Sequence, residues 1–331
     1  MENTALYSDL HFSSPVVDAH CDSLTQAMGQ NRRLGQESDA GQVDFPRLVR
    51  GGVNLQFFAA FINPRFRDNP LARAMEIFDF FHREAADNAS VVEAVYSYAD
   101  IKRALSGNKL AALLAVEGGE ALAGRIEVLR MFYRLGVRSI TLTWNGRNEL
   151  GDGAWESGSG GGLTRFGSEV VREMNRLGML VDVSHLSERG FWDVLSQAQK
   201  PPAASHSNCR SLCDHPRNLS DDQIKALASA GGVMGLCFYP DFVREKEADL
   251  EALLDHAEHA ASLAGVDCIG LGSDFDGIDA PVAGLKDVTS LPLVTEGLTR
   301  RGFSDAEVRK IIGGNFLRVL EEVLAERGHT C

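Results

Sequence analysis

The sequence has no Cys-x-x-Cys pair and no cluster of cysteines, although it contains six cysteines in 331 residues. Scattered thiols in a chain of this size predict free, buried cysteines rather than a disulfide framework. The six are Cys21, Cys209, Cys213, Cys237, Cys268 and Cys331.

Long apolar runs are absent as well. No stretch of about 18 apolar residues predicts a membrane helix. Residues 1–9 lack the basic and apolar regions of a signal peptide, and residues 326–331 carry no hydrophobic anchor. We therefore expect a cytoplasmic protein with no membrane partner.

Basic residues are outnumbered, with 33 Lys and Arg against 46 Asp and Glu and a net charge of −13. A nucleic-acid partner requires a basic surface, so we expect none. The glycine-rich residues 158–162 have neither the spacing nor the preceding strand of a dinucleotide-binding motif.

What the sequence does contain is a repeated alternation of short apolar runs and helical patterns. This alternation, without an internal repeat or a linker, predicts one (β/α)8 TIM barrel over residues 1–331, with a doubly wound open sheet as the alternative. The predicted strands are 16–22, 53–61, 110–117, 139–145, 180–186, 203–206, 233–238 and 269–275. The predicted helices are 71–86, 121–135, 164–177, 187–198, 221–230, 247–264, 295–300 and 304–325.

Polar residues fall at the C-terminal ends of several predicted strands. These ends form the active-site face of a barrel, and burying so many ionisable groups there is costly unless they are paired or bind metal. Singly, each His, Glu or Asp could be a core, helix-end or turn residue. The residues are His20, Asp22, Glu117, His185, His206, Asp274 and Asp276.

The donor set indicates two metal ions. One catalytic zinc takes about three protein ligands, whereas five nitrogen and oxygen donors with a bridging carboxylate fit two ions about 3.5 Å apart. His256 and His259 are spaced for metal on a helix, but a solvated helix face is the better interpretation.

At this point the chain resembles the renal, or membrane, dipeptidase family of binuclear zinc peptidases, in its bacterial branch. The resemblance covers residues 15–320 and rests on motifs that are specific in combination. They are VDAHCD at 17–22, GGVNLQF at 51–57, AVEGG at 115–119, LTWN at 142–145, VDVSH at 181–185, ASHS at 204–207, RNL at 217–219 and GSDFDG at 272–277.

The resemblance implies a metallo-dependent hydrolase barrel that cleaves small dipeptides, including some with a C-terminal D-residue. It implies that His20 and Asp22 bind one Zn²⁺, that His185 and His206 bind the other, and that Glu117 bridges them. A hydroxide between the metals would attack the scissile carbonyl, with Asp274 as general acid and base. Relatives in the family are often homodimers.

The resemblance also assigns substrate contacts. Arg217 matches the arginine that binds the substrate carboxylate with its planar fork. Trp144 stands where mammalian members have a substrate-contacting His, so the oxyanion would depend more on zinc, or on Asn145. The glycine-rich loop 147–162 is expected to cover the site, with Trp155 on the substrate side chain.

Two other functions are compatible with the barrel. One is another two-metal amidohydrolase, acting on an acylated or cyclic amino-acid derivative. Such enzymes usually open with His-x-His and use a carbamylated Lys, whereas this chain has His20-x-Asp22 and Glu117. The other is a catalytically silent binding protein, which predicts missing ligands, yet every expected ligand is present.

Overall fold

Parallel strands form a single closed sheet in the computed structural model, which describes residues 9–324. The strands are β1 Val16–Cys21, β2 Val53–Phe61, β3 Val92–Ala94, β4 Leu110–Glu117, β5 Val137–Thr141, β6 Leu180–Asp182, β7 Ala203–Ser207, β8 Val233–Leu236 and β9 Ile269–Leu271.

Eight of these strands close into a ring, which confirms the predicted TIM barrel. The order around the ring is β1, β2, β4, β5, β6, β7, β8, β9 and back to β1. Pairing of β2 with β4 completes it, from Leu55 opposite Ala111 to Phe61 opposite Glu117. The three-residue β3, which the sequence analysis missed, lies outside the ring against the start of β4.

Helices follow most strands and surround the ring. They are α1 Ser23–Gln30, α2 Phe45–Arg50, α3 Pro70–Asp87, α4 Tyr98–Ser106, α5 Ile126–Arg134, α6 Arg165–Leu177, α7 Glu188–Gln197, α8 Asp221–Ser229, α9 Pro240–Val243, α10 Leu250–Ala264, α11 Leu291–Arg300, α12 Asp305–Arg309 and α13 Asn315–Val323. None of them, within residues 9–324, has the length and apolarity to cross a membrane.

Several helix predictions need correction. Helices α1, α2, α4 and α9 were not predicted; α2 and α9 span six and four residues, too short to show a periodic pattern. The predicted helix 304–325 is three segments, because a π-helical turn at Lys310–Gly314 separates α12 from α13. Its last residue, Ala325, lies outside the described residues.

Alternate residues of β4 pack in two separate apolar clusters. Leu110, Ala112, Leu114 and Val116 join the layer between sheet and helices. Ala111, Leu113 and Ala115 share a face with Glu117 and form the smaller cluster inside the ring. Phe316 of α13 belongs to this inner cluster and contacts Phe57 of β2, with ring centroids 5.9 Å apart.

Buried thiols and histidines complete the core. Cys21, Cys209, Cys213, Cys237 and Cys268 are free and buried, as predicted, whereas Cys331 lies outside the described residues. The expectation of a solvated face at His256 is wrong. That ring is fully buried, accepts from the backbone N–H of Cys209 and lies 2.9 Å from the carbonyl of Val243. His259 instead contacts Asp221 near the surface.

We expect Phe316→Ala to lower the free energy of unfolding by about 3–5 kcal/mol, because it removes a fully buried ring and leaves a cavity inside the barrel. Urea denaturation followed by circular dichroism measures the change. The control is Leu293→Ala on α11, where the side chain is 42% exposed and the loss should stay below about 1 kcal/mol. Equal losses in the two variants would contradict the assignment of Phe316 to the barrel interior.

Candidate metal centre and active site

A cavity of about 710 Å³ opens at the C-terminal ends of the barrel strands. This volume lies within the range of small-molecule sites. Its lining includes nine of the residues named in the sequence analysis. They are Asp22, Glu117, Trp144, Asn145, Trp155, His185, Arg217, Asp274 and Asp276.

Glu117, the last residue of β4, has one carboxylate oxygen facing His185 and His206 and the other facing His20. Its Oε1 lies 2.8 Å from His185 Nε2 and 3.8 Å from His206 Nε2. Its Oε2 lies 3.5 Å from His20 Nε2. The carboxylate is buried, so both oxygens are held between potential metal ligands rather than in water.

His185 and His206 face each other, with their Nε2 atoms 2.8 Å apart. His185 Nδ1 lies 2.7 Å from the acceptor Oδ1 of Asn145 and therefore carries a proton. His206 Nδ1 lies 2.8 Å from Ser205 Oγ, and that hydroxyl donates to Asp182. His206 Nδ1 must then also donate, so both Nε2 atoms present lone pairs to each other.

Two lone pairs at this distance repel unless a cation lies beside them. Burial and, to a smaller extent, the positive charge of Arg217 lower the pKa of His185 well below its ordinary value. Burial and then His20 lower the pKa of His206 in the same way. Both rings are thus held in the neutral form that binds metal.

The second group is centred on His20. Its Nε2 lies 3.7 Å from Asp22 Oδ2 and 3.9 Å from Asp274 Oδ1. Within residues 9–324, neither His20 Nε2 nor Asp22 Oδ1 has a hydrogen-bond partner, although both atoms are buried. Buried polar atoms without partners are rare and point to an ion or ligand.

The cluster holds more negative charge than its own cations balance. Burial and then Asp22 raise the pKa of Glu117 to about 7. Burial raises the pKa of Asp274 to about 6, although the His20 charge opposes it. Burial is the largest single effect on His20 and lowers its pKa, but Glu117 and Asp22 together outweigh burial and raise that pKa well above its ordinary value.

These observations fit a divalent metal. A cation would replace the proton that the carboxylates draw onto His20, satisfy the unpartnered atoms and separate the two facing imidazoles. Imidazole and carboxylate donors are ligands that zinc accepts. Ligand atoms of His20, Glu117 and His206 lie within 4.8 Å of one another, as do those of His20, Asp22 and Asp274.

The chain is similar to known proteins over almost its whole length. The family model for membrane dipeptidases, peptidase family M19, matches residues 5–329. Dipeptidase aclJ of Aspergillus oryzae is 35% identical over 329 residues, which cover 93% of this chain and 78% of aclJ. Human dipeptidase 3 is 34% identical over 324 residues, which cover 94% of this chain and 65% of the human protein.

The chain belongs to the membrane dipeptidase family.

It is therefore a metallo-dipeptidase, as the resemblance implied. A solved metallopeptidase from Rhodobacter sphaeroides, bound to a phosphinate mimic of L-Ala-D-Ala, has the same fold. It is 28% identical, with a TM-score of 0.88 and coverage of 94% of this chain and 99% of that chain.

Arg217 of the dipeptidase lies beside the metal-binding cluster. Its side chain is buried and donates through Nη2 to the carbonyl of His206 at 3.1 Å. Its guanidinium lies 5.3 Å from the ring centroid of Phe242. Within residues 9–324, its Nε has no hydrogen-bond partner. A buried cation with an unused donor, in the cavity wall, is placed to receive an anion.

Trp144 and Asn145 of the dipeptidase have different surroundings. Trp144 lines the cavity, with its ring 5.4 Å from Phe61 and 5.3 Å from Trp155. Asn145 also lines the cavity, but its Oδ1 is occupied by His185. The structure therefore gives Asn145 a role in orienting a histidine, while its contact with the substrate stays a prediction.

The sequence analysis did not identify the residues that fix the proposed metal ligands in position. Asp182 Oδ1 accepts from the backbone N–H groups of Ser184 and Ser205, and its Oδ2 accepts from Thr141 and Ser205. Asp18 accepts from the backbone and hydroxyl of Ser273, next to Asp274. An isolated Asp in a buried strand was the available signal, since such a group requires partners.

Asp274 and Asp276 of the dipeptidase are not equivalent, although the sequence places both on one strand face. Asp274 faces His20, whereas Asp276 binds Arg32 at 2.8 Å and the backbone of Gln42. The expected strand 269–275 ends at Leu271, and both residues adopt φ of +65° beyond it. Gly277 permits this turn, because a Cβ there would collide with the carboxylates of Asp22 and Asp274.

We expect Ser205→Ala to weaken zinc binding by roughly 10- to 100-fold, because His206 loses the acceptor that fixes its ring and tautomer. Competition with a coloured chelator measures the affinity. The matched control is Ser207→Ala on the same strand. Its hydroxyl is also buried and has no partner within residues 9–324, so its removal should leave zinc affinity nearly unchanged. Equal zinc affinities in the two variants would contradict a role for the hydrogen-bond relay from His206 through Ser205 to Asp182.

Proposed function

We propose that this metallo-dipeptidase hydrolyses dipeptides with two zinc ions held at the mouth of the barrel. The observation that carries the proposal is the position of Glu117, whose two oxygens face His20 on one side and His185 and His206 on the other. A carboxylate between two sets of donors suits a bridging ligand.

The proposed ligand sets follow from this division. His20 and Asp22 would hold one ion, and His185 and His206 would hold the other, with Glu117 shared. When bound, zinc supplies Lewis-acid chemistry, in which it activates a water for attack and polarises the scissile carbonyl.

Arg217 binds the substrate carboxylate in this proposal. Its unused Nε and its rigid fork suit a planar carboxylate, and its burial strengthens the interaction by excluding water. The hydrogen bond from Arg217 to the carbonyl of His206 fixes the orientation of the guanidinium. A peptide whose C-terminal carboxylate is engaged there would present its peptide bond to the neighbouring cluster.

Asp274 moves the proton. Its Oδ1 lies 3.9 Å from His20 Nε2, and its Oδ2 lies 3.6 Å from the Cys237 thiol, so the carboxylate is held beside the cluster and open to the cavity. It would accept a proton from the attacking water and return it to the leaving amine. The leaving group departs as a free amino acid.

A C-terminal D-residue is part of the proposal. The Rhodobacter sphaeroides metallopeptidase binds a mimic of L-Ala-D-Ala, and 94% of this chain aligns with it. The cavity of about 710 Å³ is of the size that small-molecule sites have.

The deciding experiment measures metal content and amino-acid release together. We expect two zinc ions per chain by elemental analysis, and chelator-sensitive cleavage of L,L- and L,D-dipeptides with N-blocked dipeptides and tripeptides spared. Glu117→Gln should lower metal content, because the shared ligand loses its charge. A fully metal-loaded protein that cleaves only acylated or cyclic amino-acid derivatives would reject the dipeptide proposal in favour of an amidohydrolase.

Asp274→Asn and Arg217→Lys should separate chemistry from binding. We expect Asp274→Asn to lower kcat by roughly 10²- to 10⁴-fold with little change in KM, because proton transfer is lost. Arg217→Lys should raise KM by roughly 10- to 100-fold, since Lys cannot reproduce the fork. Steady-state kinetics with metal content verified provides the test. A large KM effect for Asp274→Asn alone would exclude it as the proton carrier.

A further inference from the structure

Three aromatic side chains form a continuous wall on one side of the cavity. Trp144 lies at its centre, with Phe61 at 5.4 Å and Trp155 at 5.3 Å between ring centroids. Phe61 ends β2, and the two tryptophans follow β5. All three line the cavity. We call these residues the aromatic wall.

The exposure of Trp155 calls for an explanation. Its side chain is 62% exposed, although the loop that carries it is held by backbone hydrogen bonds. The N–H of Trp155 donates to the carbonyl of Asn145 at 2.9 Å, and that of Ala154 to the carbonyl of His185 at 2.7 Å. An indole fixed at a cavity mouth while most of its surface stays in water is a surface available to an apolar group.

The barrel order places Phe61, at one end of this wall, opposite the carboxylate anchor. Arg217 follows β7, and β2 lies four strands around the eight-stranded ring from β7, whereas β5, which precedes the two tryptophans, lies two strands away. His206, whose carbonyl accepts from Arg217, and His185, whose ring centroid lies 6.2 Å from that of Trp144, lie between the anchor and the wall. A dipeptide whose C-terminal carboxylate binds Arg217 and whose peptide bond lies at the metal cluster therefore extends its N-terminal residue toward the aromatic wall.

The charged residues that line the cavity are unevenly distributed around it. Apart from Glu117, its carboxylates follow β1, β8 and β9. They are Asp22, Asp241, Asp274, Asp276 and Asp279. On the aromatic side the charged lining residue is Arg65, whose guanidinium lies 4.7 Å from the ring centroid of Phe66. The aromatic wall thus offers apolar surface beside a cluster of polar groups.

We propose that Phe61, Trp144 and Trp155 form the subsite for the side chain of the N-terminal residue, and that the enzyme prefers dipeptides in which this residue is aromatic or large and aliphatic. This inference rests on the proposed dipeptidase function. Trp155 determines specificity here and takes no part in the chemistry.

The test compares kcat/KM for two series, X-Ala and Ala-X, with X being Gly, Leu, Phe, Asp or Lys. Burial of a large apolar side chain predicts a value for Phe-Ala roughly 10- to 100-fold above that for Gly-Ala. The Ala-X series should show a smaller spread. Trp155→Ala should reduce the ratio of Phe-Ala to Gly-Ala by about tenfold, and Trp155→Phe should largely preserve it.

The matched control is Trp192→Ala. Trp192 lies on α7, is 37% exposed and packs edge-on against Phe191 outside the cavity lining, so its removal should leave the ratio unchanged. A ratio that Trp155→Ala does not alter overturns the subsite, as does a preference confined to Ala-X. A preference for Asp-Ala that disappears in Arg65→Ala assigns the subsite to Arg65 instead. Equal cleavage of all X-Ala peptides rejects only the subsite, whereas no cleavage in either series rejects the dipeptidase proposal itself.

Discussion

Buried negative charge at the mouth of the barrel is the constraint on which the rest of the site depends. Asp22, Glu117 and Asp274 lie at or just after the ends of β1, β4 and β9 and converge at the cavity. Separate carboxylates in such a place repel one another, and the neutral imidazoles of His185 and His206 cannot offset them. A bound cation would reduce this repulsion. The electrostatic free energy of the site therefore favours metal binding.

The surrounding residues hold this group in place by many small, directional contacts. The carboxylate of Asp182 ties β5, β6 and β7 together through hydroxyl and amide donors, and Asp18 does the same between β1 and β9. His185 and Asp274 both adopt left-handed backbone conformations, with φ of +67° and +65°. Such conformations cost free energy in residues other than glycine, and they persist where neighbouring hydrogen bonds over-determine them.

The fold and the convergent donors could be predicted because both depend on local spacing. The spacing of His20 and Asp22 at the end of β1 predicts that they lie near each other, and the repeated Ser-His pairs fall just after β6 and at the end of β7. The other features of the site could not be predicted, because they depend on contacts between segments that are distant in the sequence. Asp276 differs from Asp274 because Arg32, 244 residues away, reaches one and not the other. The relay through Ser205 depends on the register of β6 against β7, where Asp182 lies opposite Ala203, and single-chain patterns do not encode that register.

The backbone bonds of the loop after β5 have a consequence for how this enzyme can diversify. The carbonyls of Asn145 and His185 accept from Trp155 and Ala154, so the segment that shapes the cavity mouth is anchored to a residue of the donor cluster and to its hydrogen-bond partner. Gly153 sits so close to Trp144 and Asn145 that any side chain there would collide with their carbonyls. An insertion or deletion between Gly153 and Trp155 would therefore displace the histidine as well. New specificities are accessible through replacement of the Trp155 side chain, with the anchored backbone of this segment kept.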